Sequence, residues 1–330
     1  MAIIVQKFGG TSLADPVSRD HLVRKVKKAR SEGDHVVLVV SAMGRAGDPY
    51  ATDTMLGLLA AFPGGTNGLI SDLMVSCGEI ISACVIAALL NSKGVEAVPL
   101  TAYTAGIRAE GEFGDADPAL IETTRLRALL KSSKVPVVTG FQGVDTSGNI
   151  LTLGRGGSDT SAAAIGAALK ADFVDIYKDV PGVAKADPRI IQNPPFMEFI
   201  DYDSMFRLAK HGARVLHDKS ALIARDAGLS LRVRSTFDDG PGTLIAALDG
   251  VRLVPDFIGM STSKNEEGMK VTAVFRKGSG AGLVEAAQAA AKTIGLGAVV
   301  LDCEDSNAAA FMCESRYGVE FARKLFSCLA

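Results

Sequence analysis

The residues best suited to chemistry lie in one glycine-rich segment, TLGRGGSDTS, at positions 152–161. An arginine, Arg155, sits among three glycines, and Asp159 follows where an alanine-rich helix is expected to begin. A guanidinium can hold a carboxylate through two parallel hydrogen bonds, and glycines let the chain wrap closely around a ligand. The simpler alternative is a helix N-cap at Ser158 with a surface salt bridge. That alternative does not explain a charged residue inside a triple-glycine loop, so we expect a ligand site here.

A second segment, KFGGTS, covers residues 7–12 directly after the first apolar stretch of the chain. Glycines bring backbone N–H groups close to phosphate oxygens, and a lysine supplies charge where phosphoryl oxygens become more negative. The P-loop pattern G-x-x-x-x-G-K-[ST] is absent from the sequence. A tight turn is the alternative interpretation, so this segment alone is a weak signal.

A third segment, YKDVPGVAKADPR, covers residues 177–189. Turn chemistry explains its prolines and its glycine without any function. It does not explain four charged residues, Lys178, Asp179, Lys185 and Arg189, crowded at the end of one strand. This loop could border a nucleotide.

The elements that must position these segments alternate between apolar strands and helices. Strands are expected at AIIVQKF, HVVLVVSAM, VEAVPLT, VPVVTGF and DFVDIYKDV, and helices between them, including one over residues 118–133. This rhythm predicts an α/β fold of three layers, with a mostly parallel central sheet between helices. Ligands of such sheets bind at the carboxyl ends of strands, where the three segments lie.

A smaller α+β unit is expected after the turn-rich residues 238–242. Its order would be β-α-β-β-α, formed by MKVTAVFRK, LVEAAQAAAKTIG, AVVLDCE, NAAAFMCES and GVEFARKLFSCL. One face of its sheet would stay open, which predicts pairing with another copy as a homodimer or a higher homo-oligomer.

Composition excludes several classes of partner. The 330 residues carry a formal net charge of −2, which provides no basic field for nucleic acid or for a membrane surface. No signal peptide or membrane span is predicted, so we expect a cytoplasmic protein. The five cysteines have no zinc-site spacing and are expected to be reduced core residues.

Several colinear motifs together resemble the aspartokinases of the amino acid kinase family, most closely the monofunctional type of the lysine and diaminopimelate pathway. The motifs are KFGGTS, SAMG with GDPYATDTM, SCGEIIS, the Arg155 loop with its helix, DVPGVAKADPR and HGARVLHDKSALIARDAGLSLRVRSTF. The resemblance implies a catalytic domain over residues 1–245 and one ACT-like regulatory or dimerisation domain over 246–330. It implies ATP- and Mg²⁺-dependent phosphorylation of the L-aspartate side chain to 4-phospho-L-aspartate, the first step of lysine, threonine and methionine biosynthesis.

The same resemblance implies a role for individual residues. Glu79 would bind the substrate's α-amino group and Arg155 its α-carboxylate, while Asp159 would organise the phosphoryl-transfer centre. The remaining aspartate contacts would be Ser41, Thr52, Gly156, Gly157 and Ser158. The ATP contacts would be Lys7, Phe8, Gly9, Gly10, Lys178, Asp179, Ala184, Arg189 and Arg214. No dedicated metal ligands are expected, because Mg²⁺ commonly travels on the nucleotide phosphates.

The sequence departs from the family pattern in three ways. Lys178 stands where threonine is usual, and Ala184 stands where an aromatic residue is usual. One ACT-like region appears instead of two, so we expect the amino-acid feedback site to be lost or remodelled. The alternatives are a kinase for another acid, such as glutamate or acetylglutamate, or a catalytically silent amino-acid-binding regulator. The presence of Lys7, Glu79, Arg155 and Asp159 together disfavours the silent regulator.

Overall fold

The structure is a computed structural model that describes residues 1–248, 256–265, 268–276, 283–296 and 307–330. Its elements in chain order are β1 (Ile3–Phe8), α1 (Pro16–Ser31), β2 (His35–Val40), α2 (Thr52–Leu59), α3 (Gly68–Ser92), β3 (Ala97–Leu100), α4 (Ala102–Ala105), β4 (Ile107–Glu112), β5 (Asp115–Ile121), α5 (Thr124–Lys131), β6 (Val135–Thr139), β7 (Gln142–Val144), β8 (Ile150–Thr152), α6 (Gly157–Leu169), β9 (Phe173–Lys178), β10 (Phe199–Asp201), α7 (Tyr202–Lys210), α8 (Asp218–Ala227), β11 (Leu231–Ser235), β12 (Thr243–Ala246), β13 (Phe257–Asn265), β14 (Gly268–Phe275), α9 (Leu283–Thr293), β15 (Ala308–Cys313) and α10 (Ser315–Leu329).

The chain forms two compact units that each combine two segments. The first unit contains residues 1–181 and 223–242, and the second contains residues 182–222 and 243–330. The boundary between residues 222 and 223, where the chain passes from the second unit back to the first, lies inside helix α8. The domain boundary expected at residue 245 is not tested by this division and stays a prediction.

A parallel sheet forms the centre of the first unit. Its strands follow the order β11-β9-β1-β2-β6-β3, and every neighbouring pair is parallel. Strand β2 is almost entirely buried, as its unbroken apolar sequence predicts for a strand covered on both faces. Helices α1 and α3 share a core cluster with Phe8 and Leu38 on one face. Helix α6 packs against the other face, where Val174 lies within 2.4 Å of a Cβ built at Gly166. The three-layer α/β prediction is confirmed.

A second sheet of the first unit, with the order β5-β4-β7-β8, corrects one prediction. The helix expected over residues 118–133 is wrong in its first part, because β5 occupies Asp115–Ile121 and the helix begins only at Thr124. Gly114, with positive φ, lies in the turn of a hairpin between β4 and β5, and Gly111, also with positive φ, lies in β4 opposite Ala116. Pro118, the first residue of the expected helix, lies in an edge strand, where a missing N–H donor is tolerated.

Helix α3 is the longest helix that the structure describes, and it carries two buried acids. By length and composition alone it could cross a membrane, although half of its apolar window is buried inside the protein. Asp72 and Glu79 are 3% and 2% exposed, and their spacing of seven residues places both on one face of the helix. Two buried carboxylates on one face indicate a core helix whose acidic side chains contribute to a polar site inside the protein.

The second unit contains a parallel pair, β10 with β12, and an antiparallel sheet with the order β13-β14-β15. Helices α9 and α10 contribute to a core with Phe257, Val271 and Phe311. The predicted helices and the strands at MKVTAVFRK and NAAAFMCES are confirmed, whereas β13 was missed. The strand expected at AVVLDCE lies outside the described residues. Cys77, Cys84, Cys313 and Cys328 are free thiols, as predicted. The predicted core location is correct for Cys313 and wrong for the other three, which are exposed, and Cys303 lies outside the described residues.

Asp72 ties α3 to the second sheet, and this link can be tested. Its Oδ2 accepts hydrogen bonds from the backbone N–H groups of Thr152 (2.7 Å) and Gly114 (3.0 Å), and its Oδ1 accepts from the Thr152 hydroxyl (3.0 Å). Replacing Asp72 with alanine leaves these donors without an acceptor, so we expect Asp72→Ala to lower the free energy of unfolding by about 3 kcal/mol. Urea denaturation measures this loss.

The matched control is Asp20→Ala, which removes an exposed carboxylate from α1 and should change the free energy of unfolding by less than about 0.5 kcal/mol. Thr152→Val should fall between the two, since it removes one hydroxyl and keeps the backbone bond. Equal unfolding curves for Asp72→Ala and Asp20→Ala would contradict the structural role of Asp72.

Candidate active site

A cleft of about 570 Å³ in the first unit collects most of the residues that the sequence singled out. It lies at the carboxyl ends of β1, β2, β8 and β9 and is closed on one side by α2 and α3. The predicted residues that line it are Lys7, Gly10, Ser41, Thr52, Glu79, Arg155, Gly156, Gly157, Ser158, Asp159 and Lys178. Segments separated by more than 150 positions in the chain therefore meet in one site, as the carboxyl-end rule for parallel sheets predicts.

The charged centre of the cleft is a carboxylate shared by two lysines. Asp159, in the first turn of α6, lies 2.6 Å from Lys7 Nζ through Oδ1 and 2.8 Å from Lys178 Nζ through Oδ2. Burial acts to raise the pKa of Asp159, but the Lys178 and Lys7 ammonium groups outweigh it and hold that pKa at about 2. Burial lowers the pKa of Lys7 to about 8, against the opposing effect of Asp159. The three groups carry a net positive charge at neutral pH.

Glu79 provides the opposite sign at another wall of the cleft. Its Oε1 accepts a hydrogen bond from the Ala42 backbone N–H at 2.8 Å, whereas its buried Oε2 has no hydrogen-bond partner. Burial raises the pKa of Glu79 to about 8, and the Ala42 hydrogen bond and the nearby Lys7 charge offset only part of this effect. Glu79 is therefore mostly protonated in the free protein at pH 7. A cation beside Oε2 would favour its ionised form.

Arg155 sits at the tip of the glycine-rich loop with its side chain exposed. Gly154 and Gly156 flank it with φ of +71° and +69°, a conformation that residues with a Cβ rarely adopt. Gly156 is also the N-cap of α6, so the loop fixes where the helix begins. Arg155 forms no ion pair with the residues that the structure describes. Its guanidinium is thus available for a carboxylate ligand.

The end of β2 links the two glycine-rich loops. The Ser41 hydroxyl donates to the Ser158 hydroxyl at 3.0 Å, and the Gly44 N–H donates to the Gly10 carbonyl at 3.0 Å. A Cβ at Gly10 would lie 2.5 Å from the Gly44 carbonyl oxygen, so this close approach requires glycine. Thr52 begins α2 at the same wall of the cleft.

Some predicted residues lie elsewhere. The Phe8 side chain is fully buried and stacks on Tyr177 at 4.6 Å between ring centroids, so only its backbone could meet a ligand. Gly9 is not among the lining residues, and the Asp179 carboxylate lies 2.6 Å from Arg45. The other expected nucleotide contacts belong to the second unit, and they are Ala184, Arg189 and Arg214. Their nucleotide roles stay predictions.

The lining residues that were not predicted from the sequence include Asp72 and Phe141. The spacing of Asp72 from Glu79 on an apolar helix could have identified it. Phe141 gave no comparable signal, because its positive φ of 68° arises from the turn after β6. Among the described residues no group of three or more acidic, histidine or cysteine side chains could hold a metal ion.

Comparisons with known proteins agree with this architecture. Residues 2–235 match the amino acid kinase family. Aspartokinase 1 of Bacillus subtilis (strain 168) is 44% identical over 247 residues, which cover 75% of this chain and 61% of that protein. The chain spans about three fifths of the length of the curated relatives it matches.

Solved structures show the same fold. Aspartate kinase from Synechocystis matches with a TM-score of 0.65 and 34% identity, over 100% of this chain and 55% of that chain. E. coli aspartokinase III, solved in complex with aspartate and ADP in the R-state, matches with a TM-score of 0.82 and 21% identity over 99% of both chains. Since the family match covers most of the chain and includes every residue that lines the cleft, the chain belongs to the amino acid kinase family.

Proposed function

We propose that this chain is an aspartate kinase, which transfers the γ-phosphoryl group of ATP to the side-chain carboxylate of L-aspartate. The observation that carries the proposal is the arrangement of charge in the cleft. A free guanidinium at Arg155 and a buried, half-satisfied carboxyl group at Glu79 suit the two ends of an α-amino acid. The cationic pair Lys7 and Lys178, bridged by Asp159, suits phosphate oxygens.

The reaction needs positioning and charge rather than proton abstraction. The aspartate side chain is already ionised at neutral pH, so its oxygen can attack the γ-phosphorus without a general base. The P–O bond to ADP breaks as the new acyl phosphate bond forms. Arg155 and Glu79 would hold the acceptor in line, and the Lys7 ammonium would stabilise the charge that develops on the phosphoryl oxygens.

Mg²⁺ would enter on the nucleotide and be held chiefly by phosphate oxygens, where it neutralises their charge. Asp159 is the acidic side chain through which the protein would organise this centre, since its oxygens already bridge Lys7 and Lys178. Lys178 adds a second cation at the end of β9. The nucleotide roles of Gly9, Asp179, Ala184, Arg189 and Arg214 rest on the resemblance and are part of the proposal.

Three further expectations belong to the proposal. The sequence resemblance supports a C-terminal ACT-like unit, and any amino-acid effector there would bind a remodelled site. The open face of its predicted sheet supports assembly into a homodimer or larger homo-oligomer, and a cytoplasmic location is the third expectation. The rival functions are a kinase for another acidic amino acid and a catalytically silent binding protein. Both rivals share the fold, so the choice of substrate and the presence of turnover separate them.

The decisive experiment supplies ATP, Mg²⁺ and hydroxylamine with aspartate, glutamate or acetylglutamate, and measures acyl hydroxamate and ADP. We expect both products with aspartate. Arg155→Lys should raise KM for aspartate so that kcat/KM falls about 10- to 100-fold, because the two-pronged carboxylate contact is lost. KM for ATP should change little.

Arg125→Lys is the matched control, since it makes the same change at an exposed arginine of α5 outside the cleft, and its kinetics should equal those of the parent. No ADP with any acid would support the silent regulator. Turnover with glutamate or acetylglutamate but not with aspartate would replace the substrate assignment.

Binding of aspartate should also release protons near pH 7. Glu79 has a pKa of about 8 in the free cleft and is mostly protonated at pH 7. A bound ammonium at Oε2 would lower that pKa, so we expect release of somewhat less than one proton per aspartate. Calorimetric titration in buffers of different ionisation enthalpy measures this number.

The release should shrink as the pH rises through 8, because Glu79 is then already ionised before binding. Glu79→Gln keeps the acceptor for the Ala42 N–H but cannot release a proton, so it serves as the control. Proton uptake at pH 7, or the same release from Glu79→Gln, would contradict the assignment of Glu79 to the amino group.

A further inference from the structure

The glycine-rich loop that carries Arg155 is supported from two sides. On one side β8 ends at Thr152, three positions before Arg155. On the other side lies the turn of the β4–β5 hairpin, since a Cβ built at Gly154 would lie 2.9 Å from Asp115 Oδ1 and 3.4 Å from the Gly114 carbonyl oxygen. The position of Arg155 in the cleft therefore depends on the end of β8 and on the turn of this hairpin.

One carboxylate of α3 holds both supports. Oδ2 of Asp72 accepts hydrogen bonds from the backbone N–H groups of Thr152 and Gly114, so the end of β8 and the hairpin turn are bonded to the same oxygen. Oδ1 of Asp72 accepts from the Thr152 hydroxyl. The Asp72 side chain is buried, so water competes little for these bonds. Both sides of the loop are thus fixed to α3 through Asp72.

Helix α3 also carries the side chain for the other end of the acceptor. Glu79 follows Asp72 by seven residues, which corresponds to about 10.5 Å along the helix axis. The Ala42 N–H donates to Glu79 Oε1 and fixes its carboxyl group. Because Glu79 is part of α3 and the Arg155 loop is bonded to it through Asp72, this helix sets the spacing between Glu79 and Arg155.

That spacing matters because an α-amino acid carries its ammonium and its carboxylate on the same carbon. One ligand must meet Glu79 and Arg155 at once, and a misplacement of about 1 Å can cost about 100-fold in activity. Arg155 is exposed and forms no ion pair within the part of the chain that the structure describes. The backbone of its loop therefore sets where the guanidinium lies.

We propose that Asp72 is a positioning residue for the acceptor amino acid, which it controls by fixing the Arg155 loop at a set distance from Glu79. This inference rests on the proposed function, in which Glu79 binds the α-ammonium group and Arg155 the α-carboxylate. Three donors from the protein already occupy the Asp72 oxygens, so its effect on the acceptor passes through Arg155.

Steady-state kinetics of three variants test this role. Asp72→Ala removes all three bonds and should raise KM for aspartate about tenfold, with kcat and KM for ATP changed less than about twofold, because the lost contact is a binding contact. Asp72→Asn should keep KM within about twofold of the parent, because its amide oxygen can accept from both N–H groups while its NH₂ group donates to the Thr152 hydroxyl. Thr152→Val loses one bond and should raise KM about threefold.

A double-mutant cycle shows whether Asp72 acts through Arg155. In the Arg155→Lys background the loop carries no guanidinium to position, so Asp72→Ala should raise KM for aspartate by less than about twofold there. A purely structural role for Asp72 would raise KM by the same factor in both backgrounds. That outcome would overturn the proposal.

The matched control for lost stability is Leu126→Ala, which opens a cavity at a fully buried position of α5 outside the cleft. Its KM for aspartate should equal that of the parent, and a rise like that of Asp72→Ala would overturn the proposal. If Asp72→Ala does not fold, Thr152→Val decides the question. A parent that makes no ADP with aspartate would overturn the proposed function and this inference together, whereas turnover with unchanged KM in Thr152→Val and in any folded Asp72→Ala would overturn this inference alone.

Hydrogen exchange followed by mass spectrometry provides a readout that needs no substrate. The backbone amides of Thr152 and Gly114 should be protected in the parent and in Asp72→Asn, and they should exchange faster in Asp72→Ala. Peptides from α5 should exchange equally in all three proteins. Equal exchange of the Thr152 and Gly114 amides in the parent and in Asp72→Ala would show that Asp72 does not hold the loop, and the proposal would then be wrong.

Discussion

The cleft depends on one buried interaction, the carboxylate of Asp159 between Lys7 and Lys178. Each member comes from a different element, namely the first turn of α6 and the ends of β1 and β9. The three side chains meet only when the parallel register of β1 and β9 is correct and α6 begins directly after its N-cap, Gly156. Removing one partner of such a buried pair costs about 3–5 kcal/mol because the remaining charge stays uncompensated. The charged centre is therefore also a constraint on the fold.

The same centre explains why the glycine-rich loop has its shape. Asp159 must enter the cleft from the first turn of α6, so the chain has to reverse immediately before it. Left-handed Gly154 and Gly156 make this reversal and place Arg155 outward at the loop tip. The arginine stays solvated while the aspartate is buried four positions later. One loop thus supplies a buried charge inside the cleft and a solvated charge at its own tip.

Much of this arrangement was predictable from sequence because it is local or periodic. The parallel strands are continuous apolar runs, and their carboxyl ends carry the glycine loops. The β4–β5 hairpin was not predictable in the same way, since Pro118 and the residues after it fit a helix equally well until pairing with β4 is formed. Asp72 was overlooked for a related reason, because its partners Gly114 and Thr152 are distant in sequence. The contact of Phe8 with Tyr177, which removes the Phe8 side chain from the cleft, is likewise a product of strand register.

The electrostatics of Glu79 also bear on which acceptor the cleft would select. The buried Glu79 carboxyl group, with one unpaired oxygen, stays mostly protonated near neutral pH, and a cation at that oxygen would stabilise its ionised form. The ammonium group of a free α-amino acid supplies that cation. An acylated amine is neutral, so it would leave Glu79 protonated. It would lose its hydration on entering the cleft, and no ion pair with Glu79 would compensate for that loss. Discrimination between aspartate and an acetylated acid would therefore follow from a proton equilibrium at Glu79 rather than from the size of the cleft.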